Sequence, residues 1–358
     1  MSVREEHPLP AVPNRIVVTG GAGYIGSHTV LELLKCGAEV CVIDNFSNSS
    51  PEALKRVETL AGRGFQVEDI DIRNVNPLTA LIDQFQPDAV IHFAGLKAVG
   101  ESVASPLRYY ENNVSGSINL LSAMEAANCN RIIFSSSATV YGEAQYLPLD
   151  EVHPISPTNP YGQTKAMVEN IISDWVVSSA ERAGISLRYF NPVGAHGSGM
   201  IGEDPLGIPN NLVPYVAQVA LGVLDEVQVF GNDFGTRDGT GERDYIHVED
   251  LATGHLSALY YLLDHQGYDA INLGTGHGST VLEVITAYEE ACGHKIAKRI
   301  VDRREGDTAS SLADPRKAET VLGWKATKLL ADGCRSSWLW QTNNPAGYQR
   351  VVSIDEVL

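Results

Sequence analysis

A tyrosine and a lysine that stand four residues apart, Tyr161 and Lys165, form the pattern Y-x-x-x-K, which occurs once in the chain. On a helix, residues i and i+4 lie on the same face, so the ammonium would lie beside the phenol. A neighbouring cation stabilises a phenolate and lowers the pKa of the phenol, which suits the tyrosine to general acid–base catalysis. Upstream, Ser137 follows the apolar run RIIF, and its hydroxyl could share a substrate proton or simply cap a turn.

A glycine-rich turn, GGAGYIGSH, follows the first apolar run, RIVVT, and contains Gly20, Gly23 and Gly26. Glycines let a backbone turn tightly and approach a pyrophosphate, and the N-terminus of the following helix favours an anion. The second apolar run, EVCVID, ends at Asp44, which could hold the ribose hydroxyls of a dinucleotide or cap the next turn. Because an acid at that point repels a 2′-phosphate, the pattern favours NAD over NADP.

Strand-like and helix-like segments alternate through the first half of the chain. Apolar or β-branched runs lie at Arg15–Thr19, Glu39–Asp44, Gly64–Glu68, Ala89–Phe93, Arg131–Ser136 and Ile185–Tyr189, and helix-length segments at Tyr24–Lys35, Pro51–Leu60, Pro77–Gln84, Tyr110–Ala127 and Tyr161–Ala183. This alternation predicts an α/β fold, a Rossmann-type doubly wound parallel sheet covered on both faces. Ligands bind outside the carboxyl ends of such strands, where the glycine turn, Asp44 and Ser137 fall.

The chain becomes rich in turns after about Phe190, and the helical patterns there are Leu212–Leu221, Asp250–Leu263 and Val281–Cys292. This pattern of turn-rich segments between single helices predicts a smaller C-terminal α/β region whose long loops form part of a binding cleft. We therefore expect an N-terminal leader at 1–14, an NAD-binding Rossmann domain at 15–190, a mainly substrate-binding region at 191–348 and a C-terminal tail at 349–358.

The composition narrows the classes of partner. The 358 residues include 26 Lys and Arg against 44 Asp and Glu, a formal net charge of -18, which argues against a nucleic acid or an anionic membrane as partner. The five cysteines are odd in number and widely spaced without C-x-x-C, so we expect free thiols and a cytoplasmic protein. We expect neither a membrane span nor a metal site, because no long apolar run and no H-E-x-x-H pattern occurs.

The ordered set TGGAGYIG, Asp44, SSSATVYG and Tyr161-x-x-x-Lys165 resembles an extended short-chain dehydrogenase/reductase. Longer strings, HFAGLKAVGES, YYENNV, RYFNPVGAH, GIPNNLVPYVAQVA, GTGERDYIHVEDLA and RREGD, resemble the UDP-glucose 4-epimerase family within that group. The likeness runs from about Arg15 to about Tyr348. It implies an isomerase that inverts C4 of UDP-hexoses through a transient 4-keto sugar, with tightly bound NAD as the recycled oxidant.

The resemblance also implies roles for individual residues. The catalytic set would be Ser137, Tyr161 and Lys165, with no metal. The cofactor contacts would be Gly20, Gly23, Tyr24, Ile25, Gly26, Asp44, Asn45, Asn48, Ser49, Asp71, Ile72, Phe93, Ala94, Lys97, Asn112, Tyr161, Lys165 and Phe190. The UDP-sugar contacts would be Lys97, Ser137, Tyr161, Asn191, Asn211, Leu212, Phe230, Arg243, Arg304, Asp307 and Ser311.

Ser311 bears on the range of substrates, because in this family the position gates the sugar's 2-substituent. A small residue there implies that UDP-N-acetylglucosamine and UDP-N-acetylgalactosamine are also interconverted, although a plain loop serine would look the same. The resemblance further implies a homodimer, in which the segments Tyr110–Ala127 and Tyr161–Ala183 form a bundle between subunits or instead pack only on their own sheet.

Two alternatives remain open. One is another NAD-dependent sugar-nucleotide enzyme, a dehydratase or decarboxylase; a dehydratase would need an Asp-Glu pair beside the serine, where this chain has Ala138 and Thr139. The other is a non-catalytic NAD-sensing module. Such a module would tolerate loss of the Tyr–Lys pair, which this chain retains.

Overall fold

The computed structural model describes residues 14–205, 207–304 and 307–349, so nearly all of the expected leader and tail lies outside it. The strands are β1 (Arg15–Thr19), β2 (Glu39–Asp44), β3 (Gln66–Asp69), β4 (Ala89–His92), β5 (Arg131–Ser137), β6 (Ala183–Tyr189), β7 (Asn191–Val193), β8 (Val227–Phe230), β9 (Glu242–His247), β10 (Gly267–Leu273), β11 (Gly278–Thr280), β12 (Lys298–Val301) and β13 (Ser310–Ser311).

The helices alternate with these strands. They are α1 (Tyr24–Lys35), α2 (Pro51–Ala61), α3 (Val75–Phe85), α4 (Val99–Ala104), α5 (Pro106–Tyr109), α6 (Gly116–Ala126), α7 (Pro160–Val177), α8 (Leu212–Ala220), α9 (Val248–Asp264), α10 (Val281–Cys292), α11 (Arg316–Val321) and α12 (Leu330–Asn343). A π-helical segment, Tyr110–Ser115, joins α5 to α6, and short 3₁₀ turns lie at Ala138–Val140 and Gly347–Gln349.

Seven parallel strands of the described chain form the main sheet, in the order β10-β6-β5-β4-β1-β2-β3. Successive side chains point to opposite faces, so Ile16 and Val18 of β1 pack with α1 and α9 while Val17 packs with α3 and α6. The sheet is thus covered by helices on both faces, which is why strands such as AVIH are buried throughout. The predicted fold class, a Rossmann-type doubly wound sheet, is confirmed.

A smaller α/β region packs beyond the carboxyl edge of this sheet. Strand β9 pairs with β7, β11 and β13, and β8 pairs with β12. Helices α8, α10 and α12 cover them around an apolar core that includes Val216, Ile285 and Tyr288. This region supplies the turn-rich loops that the sequence analysis assigned to a cleft.

The expected boundary at residue 190 does not separate the two regions, because β10 returns to pair with β6 in the main sheet. Strand β10 was not predicted, because Gly267 and Asp269 interrupt the apolar pattern in its first half. Sequence analysis also extended the helix from Tyr161 too far: α7 ends at Val177, and Ala183 already belongs to β6.

No helix within the described ranges is long and apolar enough to cross a membrane. All five cysteines are free thiols. Across the same part of the chain, no group of three or more His, Cys, Asp or Glu side chains is arranged to hold a metal ion.

Candidate active site

A cleft of about 610 Å³ opens along the carboxyl edge of the main sheet. Its floor comes from the ends of β1, β2, β4 and β5, where the chain leaves the sheet at Gly20, Asp44, Phe93 and Ser137. Arg243 from the smaller region lines the opposite wall. The sheet and the C-terminal loops therefore build one site between them.

The glycine turn packs tightly against neighbouring backbone and leads into a helix N-terminus that is open to the cleft. Gly20 has a φ of 69°, and a Cβ there would lie 2.6 Å from the Ala94 nitrogen. A Cβ on Gly26 would lie 2.4 Å from the Gly20 carbonyl oxygen, so neither position accommodates a side chain. Helix α1 begins after Gly23 with no side-chain cap, which leaves the N–H groups of its first turn available to an anion in the cleft.

Asp44 lies at the end of β2 and is 8% exposed. Its carboxylate accepts hydrogen bonds from the Ala22 and Phe46 backbone N–H groups, both at 2.9 Å, and from the Ser49 hydroxyl at 2.8 Å. Burial raises the pKa of Asp44, and these hydrogen bonds oppose that shift. Asp44 therefore holds the following turn, as the simpler interpretation predicts, and it also lines the cleft, where its contact with ribose hydroxyls stays a prediction.

Helix α7 carries Tyr161 and Lys165, the two residues of the Y-x-x-x-K pattern. The Asn159 side chain caps the helix by accepting from the Gly162 N–H at 2.9 Å, which sets Tyr161 in the first turn. One turn later, the Lys165 ammonium lies 5.8 Å from the centre of the Tyr161 ring. The ammonium donates to the Ser135 carbonyl oxygen at 2.6 Å, so the C-terminal end of β5 fixes its position.

Ser137 ends β5 facing the same part of the cleft. Its hydroxyl oxygen accepts from the Thr139 hydroxyl at 2.9 Å and from the Thr139 N–H at 3.2 Å. Ser137 therefore caps the 3₁₀ turn, as the simpler interpretation predicts. Because both contacts fall on its oxygen, the hydroxyl proton stays available for a substrate or for Tyr161.

Burial dominates the electrostatics of this group. It raises the pKa of Tyr161, and the hydrogen bond with Ser137 opposes that shift. Burial lowers the pKa of Lys165 to about 8, with the Glu169 carboxylate acting in the opposite direction. Lys165 is thus mostly charged at neutral pH, but the lowered Tyr161 pKa that the Y-x-x-x-K pattern predicts is not reached with protein groups alone.

Most of the expected cofactor residues line the cleft: Gly20, Gly23, Tyr24, Ile25, Gly26, Asp44, Asn45, Asn48, Ser49, Ile72, Phe93, Ala94, Lys97, Asn112, Tyr161, Lys165 and Phe190. Asp71 does not. Its carboxylate pairs with Arg73 at 2.7 Å, which lowers its pKa to about 2, and accepts from the Asn45 amide at 2.9 Å. Asp71 therefore orients Asn45, which lines the cleft, without lining the cleft itself.

The expected substrate residues divide in the same way. Lys97, Ser137, Tyr161, Asn191, Asn211, Arg243, Asp307 and Ser311 line the cleft. Phe230 and Arg304 lie outside the lining; Arg304 pairs with Asp307 at 3.0 Å and covers the Phe230 ring at 4.4 Å. Leu212, also outside the lining, opens α8 and packs against the core of the smaller region.

Several lining residues were missed by the sequence analysis. Thr139 stands in the quoted string SSSATVYG and could have been found from its hydroxyl. Glu203 and Tyr348 also line the cleft, but they come from a turn-rich loop and from the C-terminal end of the described chain. No local pattern marks either, because only the tertiary fold brings them to the sheet edge.

The doubly wound sheet, the glycine turn, the acid after β2 and the Ser–Tyr–Lys group together define an extended short-chain dehydrogenase/reductase. The family model described as GDP-mannose 4,6 dehydratase matches residues 17–337. The UDP-glucose 4-epimerase of Bacillus subtilis is 54% identical over 334 residues, 93% of this chain and 98% of that protein. The human UDP-glucose 4-epimerase is 53% identical over 341 residues, covering 93% and 98%.

Solved structures agree. The Bifidobacterium longum UDP-glucose 4-epimerase in complex with NAD⁺ and UDP superposes with a TM-score of 0.90 at 53% identity, covering 93% of this chain and 99% of that one. The Stenotrophomonas maltophila enzyme with bound NAD and formylated UDP-arabinopyranose gives 0.91 at 48% identity, covering 92% and 98%. The chain belongs to the UDP-glucose 4-epimerase family, and the resemblance noted in the sequence is confirmed.

Proposed function

We propose that this protein interconverts UDP-glucose and UDP-galactose by inverting C4 through a transient 4-keto sugar. The observation that carries the proposal is the grouping of Ser137, Tyr161 and Lys165 in the same cleft as the glycine turn. Incubation with UDP-galactose and no added NAD tests it, because a tightly bound, recycled cofactor predicts UDP-glucose as product. A strict need for added NAD would contradict tight binding.

We propose that NAD binds with its pyrophosphate at the turn from Gly20 to Gly26 and its adenosine ribose at Asp44. The uncapped N-terminus of α1, which lines the cleft from Gly23 to Gly26, supports this placement. Bound NAD supplies the acceptor and donor of hydride for the sugar's C4. The remaining cleft residues of the expected cofactor set are its other contacts in this proposal.

Replacing Asp44 with asparagine should raise the dissociation constant for NAD roughly 10- to 100-fold, because a hydrogen bond to a charged acceptor contributes about 1.5–3 kcal/mol. Titration of cofactor-free protein measures this. Asp69→Asn is the matched control, since Asp69 pairs in register with Asp44 on the neighbouring strand but lies outside the cleft lining. Equal NAD affinities for the two variants would contradict the assignment.

In the proposed reaction, Tyr161 acts as a phenolate and removes the proton of the sugar's 4-hydroxyl. Lys165 stabilises the phenolate, together with the positive charge of the oxidised cofactor, and Ser137 bridges by hydrogen bond. Tyr161 then holds that proton until the 4-keto sugar has presented its other face, and returns it. The rotation requires a firmly anchored UDP and a loosely held hexose.

Arg243 is the best-placed residue of the opposite wall for the UDP diphosphate. Burial lowers the pKa of its guanidinium, although the group stays charged at neutral pH. One of its N–H groups donates to its neighbour's carbonyl, Glu242 O, at 2.8 Å. The remaining donors face a cleft in which a diphosphate would satisfy them.

We propose that N-acetylhexosamines are substrates as well. Ser311 lines the cleft on β13, directly opposite Arg243 in the register with β9, and its small side chain leaves space there. The absence of product from UDP-N-acetylgalactosamine, when UDP-galactose is converted, would contradict this.

Replacing Ser311 with tyrosine should reduce kcat/KM for UDP-N-acetylgalactosamine by roughly 100-fold while changing that for UDP-galactose little, because the added ring fills the space for the acetamido group. Steady-state kinetics with both substrates measures the ratio. Ser311→Ala is the control and should retain both activities. Equal losses on the two substrates would show that Ser311 does not discriminate between them.

We propose further that two copies of the chain pair through α4 to α7. Exposed apolar side chains on those helices, Val103, Leu107, Ile118 and Met167, support this proposal. Sedimentation equilibrium reports directly whether the protein is a monomer or a dimer.

We also propose that residues 15–190 hold most of the NAD and that residues 191–348 hold most of the UDP-sugar. We propose that the protein is cytoplasmic, which the number and wide spacing of its cysteines support.

A further inference from the structure

Glu203 joins two walls of the cleft through one carboxylate oxygen. Its Oε1 accepts from the Lys97 ammonium at 3.1 Å and from the Asn211 side-chain amide at 3.0 Å. Lys97 belongs to the loop after β4, on the cofactor side, whereas Asn211 immediately precedes α8, on the substrate side. All three line the cleft, and the Glu203 side chain is only 10% exposed.

The backbone around Glu203 is held by the C-terminal part of the described chain. The Trp340 indole donates to the Glu203 carbonyl oxygen at 3.1 Å. On either side, the Tyr348 hydroxyl accepts from the Gly202 N–H at 3.1 Å, and the Tyr348 N–H donates to the Asp204 carboxylate at 2.9 Å. The Glu203 carboxylate is therefore presented from a fixed backbone.

This contact orients both of its partners. Because the Asn211 Nδ2 donates to Glu203, the other end of that amide, Oδ1, is left as an acceptor for a ligand. Lys97 is half exposed and has a long flexible side chain, so an unrestrained ammonium would lose conformational freedom when a ligand bound it. The ion pair restricts that freedom beforehand, which favours binding.

We propose that Glu203 is a positioning residue that sets the affinity for the UDP-sugar by holding Lys97 and Asn211. The proposal rests on the proposed function, since the ligand is the UDP-sugar of that reaction. Glu203 does not reach the Ser–Tyr–Lys group by any hydrogen bond found among the described residues. It acts equally on the ground state and the transition state.

Glu203→Gln and Glu203→Ala should therefore raise KM for UDP-galactose, about 10-fold for the alanine variant and less for glutamine, which still accepts from Asn211, with kcat nearly unchanged. The dissociation constant for UDP-glucose, measured calorimetrically, should rise in parallel. In a double-mutant cycle, Glu203→Ala should raise KM less in a Lys97→Met background than in the parent protein, because part of the effect of Glu203 is exerted through Lys97. Glu226→Gln is the control, as its partner is the exposed Arg299.

A lowered melting temperature with unchanged KM and unchanged affinity for UDP-glucose would overturn the proposal and leave Glu203 a purely structural role. A fall in kcat at constant KM would overturn it also, by placing Glu203 in the chemistry. Wild-type protein that binds UDP-glucose without converting UDP-galactose would refute the proposed function alone, and the binding constants would then decide the role of Glu203. Wild-type protein that binds no UDP-glucose would refute both.

Discussion

Removing the phenol of Tyr161 by Tyr161→Phe should lower kcat for UDP-galactose by roughly 10²- to 10⁴-fold, the range that a positioned acid–base group contributes. The variant lacks the group that, in the proposed mechanism, takes and returns the proton of the 4-hydroxyl, while it keeps the ring at the start of α7. Apart from Tyr161, the proposed cofactor contacts at the glycine turn and the proposed UDP contact Arg243 lie elsewhere in the cleft lining. Binding of both ligands should therefore stay close to that of the parent protein.

Stopped assays of UDP-glucose formation measure kcat, and titrations with NAD and UDP measure binding. Tyr146→Phe is the matched control, because Tyr146 is 43% exposed and its hydroxyl donates to Asp150 outside the cleft. That control should keep full activity. Near-parental turnover by Tyr161→Phe would remove Tyr161 from the mechanism, and a parallel loss of ligand binding would reassign it to structure.

Breaking the buried ion pair beneath the site should have the largest effect on stability. The Arg188 guanidinium meets the Glu169 carboxylate at 2.7 and 3.0 Å, and both residues are 5% exposed. Arg188 also donates to the Tyr141 hydroxyl at 3.1 Å, and Tyr141 donates to Asn272 at 2.6 Å. The network thus ties α7, which carries Tyr161 and Lys165, to the last strand of the main sheet.

Arg188→Met should reduce the free energy of unfolding by about 3–5 kcal/mol, because it leaves the Glu169 carboxylate buried without its cation. Denaturant titration measures this. The double variant Arg188→Met with Glu169→Leu should recover much of the loss, since neither charge then remains. Arg299→Met breaks the exposed pair with Glu226 and should change stability by less than about 1 kcal/mol. Equal effects of the buried and exposed changes would contradict this account.

The sequence was most informative where a local pattern fixes the structure. The bounds of β1, α1, β2 and α10 were predicted to the residue, because apolar periodicity, the glycine turn and capping residues mark those ends. The positions of Gly20, Asp44, Ser137 and Tyr161 at one sheet edge also follow, since the carboxyl ends of parallel strands meet there.

Features that depend on packing between distant segments were not predicted. The first half of β10, Gly267 to Ala270, forms no continuous apolar run, and only its pairing with β6 identifies it as a strand. Glu203 and Tyr348 enter the cleft because the C-terminal segment folds back over the loop before α8. Likewise, the sequence around Asp71 does not predict its ion pair with Arg73, and Asp71 lies outside the cleft lining. The resemblance named Asp71 as a site residue but neither Glu203 nor Tyr348, and it gave no contacts for any of them.

The central claim is that hydride leaves C4 of the sugar and returns to the same carbon inside one closed site. Conversion of UDP-galactose carrying deuterium at C4, followed by NMR without added NAD, tests this most directly. Return of the same hydride to C4 would give UDP-glucose that retains the deuterium at C4. Loss of the deuterium to water, or no product at all, would contradict this claim.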